Sequence, residues 1–250
     1  MLSNIIAIPT GSLIALVGAG GKTTTMFTLA SELAQQGLRV VTTTTTNLYI
    51  PGKGETDTVI VSPETPTLIE MVSSAWQQHQ RVTVAARFIE GGKIGGLQPD
   101  QPYELLIRSG ADIVIVEADG ARHAMIKAPA EHEPVVPPQT SIALLLASAA
   151  AINQPLSAEI AHRPERIAAV LGTKPGDILT PRLIATLMTS ELGAMKRIPP
   201  SARVYLLLTH TTEKSTAMIR ELTELVKRTG REMSVLCSPR PGEWAFVDLK

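Results

Sequence analysis

The chain has 250 residues with 23 basic and 23 acidic side chains, 3% aromatic content and one cysteine. A balanced charge removes the electrostatic footprint of a nucleic-acid or anionic-membrane binder, and so few aromatics argue against base-stacking platforms. Cys237 alone excludes an internal disulfide or a multi-cysteine metal or iron–sulfur site within one chain, and fits a cytoplasmic setting. Pro9-Thr10-Gly11-Ser12 breaks the N-terminal apolar stretch, which has no basic leader. The longest apolar run, 142–152, is too short for a bilayer, so neither a signal peptide nor a membrane span is expected.

In chain order, Leu13–Val17 reads as a buried parallel strand. A glycine-rich turn follows, and then Met26, Leu29, Ala30 and Leu33 recur at helical spacing, with Gly37 placed to end the helix. Further strands are predicted at 39–43, 81–86, 112–116, 141–146, 203–208 and 232–236. Helices are predicted at 66–80, 102–109, 164–171, 181–190 and 216–229. Near-continuous apolar strands such as Ile113-Val114-Ile115-Val116 belong to a sheet covered on both faces. The alternation predicts a three-layer, P-loop NTPase-like α/β fold with a mainly parallel sheet. One domain over 1–250 is expected, with 147–200 as a helical elaboration, either a subdomain or a cap. The segment 91–97, Gly-Gly-Lys-Ile-Gly-Gly-Leu, reads as a mobile flap or as a hairpin turn.

The turn Gly18-Ala19-Gly20-Gly21-Lys22-Thr23-Thr24 carries the chemistry. It has the form G-x-x-G-K-T, two residues shorter than the usual G-x-x-x-x-G-K-[ST]. Amides of such a loop converge on a helix N-terminus whose dipole favours negative charge. Lys22 would supply a cation to the terminal phosphates and Thr23 a hydroxyl to Mg²⁺.

Ligands of open α/β sheets gather beyond the carboxyl ends of the strands. There Glu117 is the candidate Mg²⁺ ligand, and Asp119 a second metal contact or the group that orients a nucleophile. The threonine run 42–46 would bring Thr44 or Thr45 beside the phosphate loop. Beyond Glu117, Arg122, Lys127, His132 and, further on, Arg163 are candidates for holding an anionic substrate. His132 between two glutamates also invites a metal-site reading, although no further ligand pair has a suitable spacing.

Two resemblances attach to these residues. Gly18–Thr25 together with Val40-Val41-Thr42-Thr43-Thr44 looks like the loop and second strand of the Mur ligase-like ATP-binding fold, which implies ATP, with Thr23 and Glu117 near the magnesium. Over nearly the whole chain, Gly18–Thr24, Thr42–Thr46, Val116–Arg122, Ile126–Pro134 and His162-Arg163-Pro164 resemble the YqeC family of accessory proteins for selenium-dependent molybdenum hydroxylases. That resemblance implies a role in maturing a selenium-containing molybdenum cofactor, with the cofactor or its precursor and the hydroxylase as partners. It lends no reaction. An ATP-dependent transferase and a nucleotide-driven switch or chaperone both remain open. Leu208-Thr209-His210-Thr211-Thr212 stands where a guanine-specific protein would place Asn-Lys-x-Asp, so ATP is favoured over GTP.

Overall fold

Every position of Ser12–Gly18, Ile113–Glu117 and Ile142–Ser148 is buried, as strands in the middle of a doubly covered sheet must be. The computed structural model describes residues 1–247. Its first half runs β1 (Ser12–Gly18), α1 (Lys22–Gln35), β2 (Val40–Thr44), β3 (Asn47–Tyr49), β4 (Thr58–Val61), α2 (Thr65–Ala75), β5 (Arg81–Ala85), β6 (Arg87–Ile89), β7 (Lys93–Gly95), α3 (Gln101–Arg108) and β8 (Ile113–Glu117). The second half runs β9 (Ile126–Lys127), β10 (Ile142–Ser148), β11 (Ala161–His162), α4 (Pro164–Leu171), α5 (Pro181–Thr189), β12 (Arg203–Thr209), α6 (Thr216–Arg228), β13 (Met233–Cys237) and β14 (Ala245–Phe246).

Nine of the described strands form one sheet in the order β4-β5-β2-β8-β1-β10-β12-β13-β14, parallel except for β14. The chain fills one side of β1 as far as β8 and then crosses to β10 on the other side. The carboxyl end of β1 is therefore the switch point at which such sheets open a ligand crevice. Alternation along β1 divides the core. Ile14 and Leu16 pack with Met26, Leu29 and Leu33 of α1 on one face. On the other face Leu13 joins the cluster of α2 and α3, while Ala15 and Val17 join that of α4, α5 and α6. Helices cover both sides, giving three layers.

Gly37 ends α1 as its position predicts, at φ +86, with its amide bonded to Ala34 O at 2.9 Å. Helix α2 stops at Ala75, short of the expected residue 80. Asp57 Oδ2 takes the amides of Gln80 and Arg81 at 3.1 and 2.8 Å, so the chain is already extended for β5 when it reaches them. Segment 91–97 resolves as a hairpin: β6 and β7 flank Gly91 and Gly92, both at positive φ, and β3 completes a three-stranded antiparallel sheet. In the region 147–200, residues 147 and 148 still belong to β10, and α4 and α5 lie in the same core cluster as α6 and β12.

Candidate functional site: a phosphate loop over a buried charge cluster

Strand β1 runs into Gly18, next to Leu146 of β10. Gly18, Gly20 and Gly21 take φ values of +97, +84 and +115, a left-handed path that side chains resist. Three amides pin this path. Gly18 N donates to Asp119 Oδ2 (3.2 Å), Ala19 N to Leu146 O (3.0 Å) and Gly20 N to Ala124 O (2.9 Å). Gly18, Ala19 and Gly20, expected to offer amides to a ligand, instead use them to hold the loop's shape. The open donors lie one step later. Gly21 caps α1 without a side-chain bond, and the amides of Gly21, Lys22, Thr23 and Thr24 meet no acceptor among the described residues. They sit where the helix dipole is positive.

Lys22 is 4% exposed, and its ammonium is engaged: Nζ donates to Gly18 O at 2.7 Å and lies 3.2 Å from Asp119 Oδ1. That carboxylate oxygen is buried and lies outside hydrogen-bonding geometry, so the contact is purely Coulombic. Asp119 is 2% exposed and also paired with Lys127 Nζ at 3.0 Å. It braces the loop from beneath: its carboxylate is taken up by the Gly18 amide and two lysines, where its place after β8 led us to expect a metal contact or a group orienting a nucleophile. Lys127 is likewise corrected. Its buried ammonium donates to Gly120 O (2.6 Å) and Glu133 Oε2 (3.0 Å) and pairs with Asp119 Oδ2 (3.0 Å), so it is engaged within the fold and not turned toward a substrate.

Glu117, at the end of β8, lies in register with Leu16 of β1 and Thr44 of β2. Its Oε2 accepts from Thr23 Oγ1 at 2.7 Å. Burial pushes its carboxyl above the ordinary range, against the pull of Lys22 and the Thr23 hydroxyl. A hydroxyl and a carboxylate in contact at a strand end are hard oxygen donors suited to Mg²⁺, which keeps several waters and needs few protein ligands. Thr44 is placed differently from expectation. Its hydroxyl is buried and donates to Glu117 O at 2.7 Å, fixing the strand end from behind, while Thr45 Oγ1 donates to Val135 O.

The loop after β8 folds back over the glycine turn, and β9 pairs with β11 so that Lys127 lies beside His162. Arg122 is exposed at the crest, with φ +47. Arg163 reaches the Glu133 carboxylate through Nη1 and stays half-exposed. His132 is exposed, and only its carbonyl is engaged, by Arg197 Nη1 at 2.7 Å. Among the described residues no group of three His, Cys, Asp or Glu is placed to hold a metal, so the metal-site reading of His132 finds no companions. Burial and the cations Arg163 and Lys127 depress the His162 imidazole below its ordinary value.

Glu133 behaves oppositely to Glu117. Burial raises its carboxyl, but Arg163, Lys127 and the Ala130 amide outweigh that and bring it from 4.5 to about 2. A carboxyl depressed in the fold contributes stability that is present above its unfolded value and lost as pH falls toward the folded one. Between pH about 4.5 and about 2 the acid limb of wild-type stability is therefore expected to be steeper than that of Glu133→Gln, measured by urea titration across that window.

On the flank of α1 a small cleft of about 70 Å³ is lined by Gly21, Thr24 and Thr28 on one side and by Thr209, His210, Arg240 and Trp244 on the other. Thr209 Oγ1 bonds both Gly20 O (2.5 Å) and His210 Nδ1 (3.0 Å), linking the end of β12 to the loop. Sequence reasoning had set 208–212 against the base but missed Arg240 and Trp244.

A family model described as YqeC protein matches residues 14–165. The chain belongs to the YqeC family. A curated relative, the uncharacterized protein YqeC of Escherichia coli (strain K12), is 29% identical over 201 residues, 77% of this chain and 73% of the relative. Similar solved structures include the signal recognition particle 54 kDa protein of Aeropyrum pernix K1 in complex with GDP, at TM-score 0.41 and 14% identity over 97% of this chain and 45% of that one. FtsY of Mycoplasma mycoides is similar at TM-score 0.42 and 11% identity over 95% and 63%. The chain spans less than two thirds of either structure, and likeness at this level assigns no nucleotide. Among the described residues no helix is long and apolar enough to cross a membrane.

Proposed function

We propose that the chain binds a nucleoside triphosphate, ATP in preference to GTP, and turns it over with Mg²⁺. The observation that carries this is the set of four open amides at the start of α1, beside the Thr23–Glu117 pair. Thr23 and Glu117 would hold the ion, which when bound neutralises charge on the phosphate oxygens. The flanking cleft would take the base. Among the described residues its lining holds no carboxylate to pair the guanine edge, which supports ATP.

The acceptor we propose is an anionic small molecule met by Arg122 and Arg163, the two candidate cations that remain exposed or half-exposed. Family membership supports the finer reading that this acceptor is a molybdenum cofactor or its precursor, matured for a selenium-dependent hydroxylase in the cytoplasm. Lys22 would leave Gly18 O and Asp119 to meet the terminal phosphate.

Calorimetric titration with Mg²⁺ and a non-hydrolysable ATP analogue tests binding. Lys22→Ala is expected to weaken it by about 10–100-fold, the worth of one charged hydrogen bond. Labelled γ-phosphate arriving on a small molecule identifies a transferase. Release of free phosphate alone, with partner affinity that follows the nucleotide, would overturn the transferase reading in favour of a switch.

A further inference from the structure

Five charged side chains alternate in sign from the phosphate loop to the surface. Lys22 Nζ lies 3.2 Å from Asp119 Oδ1, Asp119 Oδ2 lies 3.0 Å from Lys127 Nζ, and Lys127 Nζ lies 3.0 Å from Glu133 Oε2, which Arg163 Nη1 also contacts. The lysines and Asp119 have side chains 3% exposed or less and Glu133 9%, whereas Arg163, at 31%, ends the row at solvent. At the depth of the first four, charges are weakly screened, and each of the three interior ions is shared between two neighbours.

We propose that this row is an exchange relay, with Lys127 as its positioning residue, through which a triphosphate at Lys22 and an anion at Arg163 weaken each other's binding. It rests on the nucleotide-binding reading above and adds a second, coupled anion site to it.

The sign follows from the sharing. When Lys22 turns to a phosphate, Asp119 keeps only Lys127 and the Gly18 amide, so Lys127 is drawn toward Asp119. Glu133 is then left to Arg163 and the Ala130 amide, and the guanidinium is held more firmly and is less available to a ligand. Run backwards, an anion that draws Arg163 away leaves Glu133 to claim Lys127. Asp119 then grips Lys22 harder against the incoming triphosphate. Linkage requires the two effects to be equal. Lys127 also explains why Lys22 can leave at all, since without it the exchange would strand a buried carboxylate.

The test is calorimetric titration of the full chain with Mg²⁺ and a non-hydrolysable ATP analogue. Arg163→Gln is expected to weaken binding about tenfold and Glu133→Gln to tighten it about fivefold, within the usual span of coupling between sites. In a Lys127→Met background both effects are expected to shrink below about twofold. A field acting through space gives the same signs but survives in that background. Effects that persist there, or an Arg163→Gln chain that binds as the parent does, overturn the relay. If Lys127→Met does not fold, Asp119→Asn breaks the row one link nearer the loop and must give the same collapse. A parent chain that releases no heat with the analogue removes the nucleotide reading and the relay together. A binding parent with persistent effects removes the relay alone.

Discussion

Glu117→Gln is expected to cut Mg²⁺-dependent turnover by about 10²–10³-fold, the cost typical of losing one group that stabilises the transition state. The same change is expected to raise the stability of the nucleotide-free protein at neutral pH. Burial lifts the Glu117 carboxyl above the ordinary range, and the charge of Asp119 adds to the lift, while Lys22 and Thr23 oppose it. Between the unfolded and folded values the native state binds a proton that the unfolded state does not, so stability falls as pH rises through that interval. Above it the penalty is constant. A neutral glutamine accepts the Thr23 hydroxyl without the burial cost, so the gain should be about 0.5–2 kcal/mol, the usual size for relieving a strained functional site. Below the ordinary carboxylate range, at pH about 4 or less, the two proteins should melt alike. Paired melting curves at acid and neutral pH, with a phosphate-release assay, check both halves; unchanged turnover would remove Glu117 from the metal site.

The sheet was legible because its strands are buried on both faces. The strands predicted at 112–116 and 141–146 have no polar alternation to confuse the period, and the structure shifts them by only a residue or two, to Ile113–Glu117 and Ile142–Ser148. Short edge elements were not legible. Thr58–Val61 and the minisheet of β3, β6 and β7 are three or four residues long and half-exposed, so they carry too few core positions to show a pattern.

The site divides along the same line. Glycine, lysine and threonine at fixed offsets announce a backbone path and a helix start, and both are present. What spacing could not show is which charges neutralise one another across the fold. Lys22 and Asp119 are 97 positions apart in the chain, and only the pairing of β1 with β8 brings them together. Lys127 did leave a trace. A lysine inside Ile126-Lys127-Ala128, on a strand otherwise apolar, must either reach solvent or meet buried anions, and Glu133 six residues later was at hand. The threonine run misled for a physical reason: hydroxyls at a strand end serve neighbouring carbonyls as readily as a ligand, and those of Thr43, Thr44 and Thr45 all do so.

Gly18→Ala is expected to cost about 2–5 kcal/mol, the sum of about 1–2 for a left-handed alanine and about 1–3 for overpacking. The clash is with backbone. A Cβ at Gly18 would stand 2.3 Å from Leu146 O, the carbonyl that accepts the Ala19 amide, so relief requires β1 and β10 to part where their register is fixed. Gly37 supplies the control, for it has a similar φ of +86, but a Cβ there would meet nothing within 4 Å. Gly37→Ala should therefore show only the backbone share, about 1–2 kcal/mol. For a chain of this length the difference amounts to several degrees in Tm, at about 2–4 °C per kcal/mol, and is readable by calorimetry. Gly20→Ala adds a functional readout, since its Cβ would meet Ser148 N at 2.7 Å and Met125 O at 3.0 Å, driving the 124–125 segment off the loop. That variant should lose the thermal shift given by Mg²⁺ and an ATP analogue, which at a hundredfold excess over Kd is worth about 2.7 kcal/mol in the parent. Equal melting of the Gly18 and Gly37 variants would mean that the tight approach of β10 does not shape the turn.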